Sequence, residues 1–91
     1  MDLVFDIETD DLKATKIWCF VAQDMDSGKI YKFPPDKLSE GYEMLSNADT
    51  LIGHNIIGFD IPMVEKFGGV DLSKIPVIDT LVLSRLFNPN T

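Results

Sequence analysis

The chain has 91 residues, 45% of them hydrophobic, with six Phe, two Tyr, one Trp and a formal net charge of −7. This is one small domain, long enough to bury about 60–65% of its unfolded surface around a single core, and too apolar for a disordered segment. The acidic balance argues against a binding module that meets phosphates with a basic patch, but not against an enzyme whose acids hold cations that meet phosphates for it.

The first predicted strand covers residues 2–8 and carries Asp6 and Glu8 within a run of apolar, β-favouring residues. After a connection through Asp10–Asp11 and Lys13–Ala14, Lys16 to Gln23 forms a second strand. Trp18, Phe20 and Ala22 alternate there with Ile17, Cys19 and Val21, which predicts a central strand covered on both faces. A turn ending at Gly28 leads into Lys29 to Phe33, which completes a hairpin. Pro34-Pro35 ends that strand, and Asp36 is the expected N-cap of a helix over 37–47 with Leu38, Tyr42 and Leu45 on one face. Gly41 inside this helix costs about 1 kcal/mol relative to Ala.

Thr50 to Gly53 is a short strand followed by His54-Asn55. Asp60 precedes Ile61-Pro62 and a helix over 61–67 that stops at Gly68-Gly69. Pro76-Val77-Ile78 is a short extended piece, and Asp79 caps a last helix, Thr80 to Phe87. The order is β-β-β-α-β-α-β-α, a hairpin-rich start followed by alternating units that predict parallel strands. Residues 1–91 thus form one α/β unit without internal repeats. Cys19 is the only cysteine, so no internal disulfide forms, which suits a reducing cytoplasm. The chain has no signal-peptide pattern and no apolar run of roughly 18 residues, which argues against export and against a membrane partner.

Side chains alternate across a strand, so Asp6 and Glu8 project from one face about 6.5–7 Å apart. Carboxylates in a buried strand are costly unless paired or bound to a cation. Two readings fit: the start of a divalent-metal site built from hard oxygen ligands, or an exposed strand end with two solvated acids. Asp60 is likewise open between a metal-site carboxylate and the N-cap of the Pro62 helix.

Three ordered segments bear on that choice: Phe5-Asp6-Ile7-Glu8-Thr9 with Leu12 four residues beyond Glu8, Asn55-Ile56-Ile57-Gly58-Phe59-Asp60 after a short strand, and Ile78-Asp79-Thr80-Leu81-Val82-Leu83-Ser84-Arg85-Leu86. In this order and spacing the chain resembles the 3′→5′ proofreading exonuclease domain of A-family DNA polymerases, the DEDD exonucleases of RNase H-like (DnaQ-like) fold. The Asp6/Glu8/Leu12 and His54/Asn55/Asp60 segments look like those of bacterial DNA polymerase I. The IDTLVLSRL run looks like that of short-tailed-phage replicative polymerases.

The resemblance implies a mixed sheet with flanking helices, two divalent cations (Mg²⁺ or Mn²⁺), and hydrolysis of terminal phosphodiesters to nucleoside monophosphates. It makes Asp6, Glu8 and Asp60 the catalytic metal ligands: Asp6 bridging both ions, Glu8 on one, Asp60 supporting the second. Thr9 and Leu12 would touch the 3′-terminal nucleotide of single-stranded DNA, and Asn55 would position the strand. The implied partner is the remainder of a polymerase chain, and the implied location is cytoplasmic, in the host cell if the chain is phage-encoded.

One departure stands out. The family pattern has a fourth carboxylate on a later helix, with a water-orienting Tyr or His four or five residues before it. Nothing after Asp79 supplies either. The expectation is a domain incomplete at its C-terminus and inactive alone. The alternative is a catalytically inactive fragment acting as a binding or assembly module, with a homo-oligomer forming through the uncovered sheet face or edge. The remaining residues are expected to be structural: His54 at a strand end, Trp18, Phe20 and Phe59 in the core, Cys19 as inert packing, and Lys13 and Lys16 solvated.

Overall fold

The computed structural model of the chain describes residues 1–9 and 17–87. Leu12, Lys13 and Lys16 lie outside the described residues, as does the side chain of Trp18. Five strands form one sheet: β1 (Asp2–Thr9), β2 (Ile17–Asp24), β3 (Ile30–Phe33), β4 (Thr50–Gly53) and β5 (Val77–Asp79). Their spatial order is β3-β2-β1-β4-β5. The β1/β2 and β2/β3 pairs are antiparallel, whereas β4 runs parallel to both β1 and β5. With helices α1 (Leu38–Ser46), α2 (Ile61–Gly68) and α3 (Thr80–Phe87), this is the α/β arrangement that the element order predicts, and the mixed sheet with flanking helices that the resemblance implies.

Alternation along β1 places Leu3, Phe5 and Ile7 on the buried face and leaves Asp6 and Glu8 exposed on the other. Phe20 and Ala22 of β2 and Leu51 of β4 join the buried face, against Tyr42 and Leu45 of α1, Ile56, Val64 of α2 and Leu72. Burying each large apolar side chain here contributes about 1.5–3 kcal/mol. The ring of Phe20 lies 4.8 Å from that of Phe33 and 5.8 Å from that of Tyr42. Gly41 lets α1 approach this cluster. A Cβ at Gly41 would fall 2.1 Å from Phe20 Cζ, so the glycine's cost to the helix is offset by closer packing.

Three local expectations are corrected. Asp36 does not cap α1: it sits within a short 3₁₀ turn, Pro35–Lys37, that Pro35 initiates, and α1 starts one step later without a side-chain cap. β2 is not covered on both faces, since Val21 is 40% exposed and Cys19 half-buried. Finally, Ile56–Asp60 coils into a π-helical turn before α2, which sends Phe59 to the surface rather than into the core. Among the described residues, no helix is long and apolar enough to cross a membrane.

Candidate active site

Because β1, β4 and β5 are parallel, their C-terminal ends lie along one edge of the sheet. Ligands of open α/β sheets bind at such an edge. Asp6 and Glu8 near the end of β1, His54 and Asn55 just past β4, and Asp79 at the end of β5 all gather there.

β1 outruns its parallel neighbour. It pairs with β4 only over Asp2–Val4, while its pairing with β2 continues to Thr9. Beyond the end of β4, the backbone N–H of Ile7 is taken by Asp60, whose Oδ2 accepts it at 3.2 Å. The Asp60 carboxylate thus reaches β1 at the residue between Asp6 and Glu8. It makes no capping bond to α2, so the N-cap alternative is not what this side chain does.

Asp60 is buried, at 4% exposure. Burial raises its pKa to about 6; the Ile7 N–H opposes the rise, and the negative charges of Asp6 and Asp79 add to it. A buried carboxylate crowded by other acids is a group that a cation would relieve. Among the described residues, however, no three carboxylate, thiol or imidazole groups converge on one point. Glu8 instead accepts a hydrogen bond from the Cys19 thiol at 3.6 Å, its register partner on β2. That thiol is held above its ordinary pKa, first by burial and then by Glu8.

The turn that delivers Asp60 is set from two sides. Gly53 ends β4 where a Cβ would meet Ile56 Cγ2 at 2.4 Å and the Phe5 carbonyl oxygen at 2.9 Å, so only glycine admits this approach. Asn55 then takes a left-handed conformation, φ 60°, which Asn tolerates better than most side chains. From β5, Asp79 accepts the N–H groups of Asn55 at 2.8 Å and Ile57 at 2.9 Å, besides capping α3 through the Leu81 N–H at 2.9 Å. Burial opposes its charge, but these backbone donors together hold its pKa below the ordinary carboxylate value. Thr80 donates to the Gly53 carbonyl at 3.3 Å, and its hydroxyl stands 2.9 Å from His54 Nδ1. His54 is therefore tied in at the strand end, as expected.

Of the residues singled out from sequence, Asp6, Glu8, Thr9, Asn55 and Asp60 are all described, and they share this edge. Leu12 is not among them. The sequence marks Asp79 only as a helix cap. Its two further bonds join segments more than twenty positions apart, and no local pattern signals such a pairing.

No protein-family model and no curated protein matches the chain. Among solved structures it is similar to the family B DNA polymerase of the hyperthermophilic archaeon Pyrobaculum calidifontis. The match has a TM-score of 0.65 at 19% identity and covers 88% of this chain and 15% of the polymerase. The chain thus spans a small part of the protein it resembles, and at this identity the likeness concerns the fold. That neighbour belongs to family B, whereas the motif resemblance pointed to the A family.

Proposed function

We propose that the chain is part of the metal-dependent 3′→5′ exonuclease domain of a DNA polymerase, with Asp6, Glu8 and Asp60 as its cation ligands. One observation carries the reading: the buried Asp60 carboxylate is held on the β1 backbone at Ile7, between two exposed carboxylates, with its proton affinity raised. Hard oxygen donors suit Mg²⁺ or Mn²⁺. Two such ions, when bound, supply activation of a water and stabilisation of the leaving 3′-oxygen of a phosphodiester. Asp60 contributes a fixed carboxylate, while the exposed Asp6 and Glu8 can turn toward the ions. Thr9 and Asn55 flank the same edge, where the 3′ end of a single strand would lie, and Leu12 follows β1 in sequence.

The A-family and phage-type affinity rests on the ordered motifs, and the polymerase relation is supported by the fold. The remainder of such a polymerase chain is the expected neighbour of the exposed sheet face and the expected source of a fourth carboxylate. The isolated 91 residues should accordingly release few nucleotides. Titration with Mn²⁺, followed by paramagnetic broadening of amide signals and by calorimetry, tests the site directly. Broadening should centre on Asp6 to Thr9 and on Asp60, and Asp6→Ala should abolish it. Equal binding by wild type and Asp6→Ala would refute the reading and favour the alternative of an inactive assembly module.

A further inference from the structure

We infer that Asp79 is a positioning residue for the candidate site: by holding Asn55 and Ile57 it fixes the π-helical turn that sets the Asp60 carboxylate against the Ile7 N–H. This rests on the site reading above, but its geometry stands independently. The tie has three links. Asp79 lies at the end of β5 with its backbone held by pairing to Gly53. Its carboxylate accepts from Asn55 through Oδ1 and from Ile57 through Oδ2, so both oxygens are engaged on the turn. The turn closes with the Phe59 N–H on the Asn55 carbonyl at 3.1 Å, and Asp60 follows at once, bonded to Ile7.

A helix cap needs only the Leu81 N–H. The two bonds to Asn55 and Ile57 do a separate task. The left-handed Asn55 leaves the turn dependent on outside support, and a carboxylate that accepts several backbone N–H groups is a rigid anchor. Partners that orient a metal ligand without touching the ion typically change metal affinity by about 10–100-fold when lost.

The decisive variant is Asp79→Asn, which retains one acceptor oxygen but turns an NH₂ group toward one of the three donors. Its control is Glu65→Gln. Glu65 also clamps backbone, accepting the Leu72 N–H at 2.9 Å, but it lies outside the site. For Asp79→Asn we expect faster amide exchange at Asn55 and Ile57, an upfield shift of the Ile7 amide as its bond to Asp60 weakens, and Mn²⁺ affinity about 10–100-fold lower. Glu65→Gln should leave the Ile7 amide and Mn²⁺ affinity unchanged.

If Asp79→Asn disturbs Asn55 and Ile57 but leaves the Ile7 amide and Mn²⁺ binding at wild-type values, Asp79 is a structural anchor only and the inference is overturned. If wild type binds no Mn²⁺, the site reading fails, and the Ile7 amide alone still decides the positioning role. Should Asp79→Asn fail to fold, exchange in the wild type answers the same question. Amides of Ile7, Asn55 and Ile57 that open together support the tie; Ile7 opening independently refutes it.

Discussion

The Asp60 carboxylate accepts the backbone N–H of Ile7 at 3.2 Å, a contact that spans 53 positions of sequence. It places a buried acid, with pKa raised to about 6, on a strand whose neighbouring acids face solvent. The pH dependence of stability follows from that value. An unfolded Asp loses its proton near pH 3.9, whereas the folded chain keeps this one until about pH 6. Between those limits the folded state binds the extra proton, so stability falls as pH rises, by on the order of 2–3 kcal/mol from this group. Asp79, with a depressed pKa, acts below that window: it contributes stability above the ordinary carboxylate range that is lost as pH falls. Asp60→Asn preserves an acceptor for Ile7 and removes the charge. Urea unfolding at pH 4.5 and pH 7 should show the variant gaining on wild type at the higher pH, while losing Mn²⁺ binding. A pH-independent difference between the two proteins would contradict the assignment.

Asp6 is one source of the raised proton affinity at Asp60. Replacing it with Asn should therefore lower the Asp60 pKa toward the ordinary carboxylate range, leaving burial, the larger cause, in place. Carboxyl-carbon NMR titration of the two proteins reads this shift. An unchanged Asp60 midpoint would mean that the two acids do not sense each other and do not share a site.

The strands of this fold, and the buried and exposed faces of β1, are legible because burial enforces period-two alternation. Leu3, Phe5 and Ile7 against Asp6 and Glu8 is the plain case. The inward face of α1 is legible from the helical period of 3.6 instead, as Leu38, Tyr42 and Leu45 at i, i+4 and i+7 show. What did not show was anything set by tertiary neighbours. The π-helical turn, which Asp79 of β5 bonds at Asn55 and Ile57, and the exposure of Phe59 within it are such features. The open side of β2 depends on where helices pack, and an apolar run looks the same whether one or both faces are covered. Likewise the Asp60–Ile7 bond exists because β4 stops short of β1, a length difference that no local motif encodes.

Gly41 shows how a local rule and a tertiary contact oppose each other. Gly→Ala in a helix interior gains about 1 kcal/mol from propensity. Here the new methyl would meet Phe20 Cζ at 2.1 Å, Phe20 Cε1 at 2.7 Å and Phe33 Cγ at 2.8 Å, in a cluster whose rings are already packed together. Overpacking of that kind costs about 1–3 kcal/mol or more. Gly41→Ala should therefore lower stability, by up to about 2 kcal/mol net. Denaturant unfolding measures it, and a gain in stability would show that α1 moves away from the sheet at little cost.

Across the exposed sheet face, register aligns Ile30, Gln23, Val4, Ile52 and Ile78 in one row from β3 to β5. Ile30 is 55% exposed, Ile78 44% and the nearby Val21 40%. Apolar side chains grouped in this way around Gln23 on an exposed face favour burial against a partner. The sheet edges are less apt to associate. β3 carries Lys32 and ends at Pro34, and β5 has three residues, all features that discourage strand addition. For the isolated 91-residue chain the expected outcome is self-association through this face rather than an edge. Sedimentation equilibrium over a range of concentrations should show it, and Ile30→Lys, which puts a charge in the row at its most exposed position, should weaken it. A species that stays at 10.2 kDa at high concentration, with Ile30→Lys indistinguishable from wild type, would remove the face as an interface.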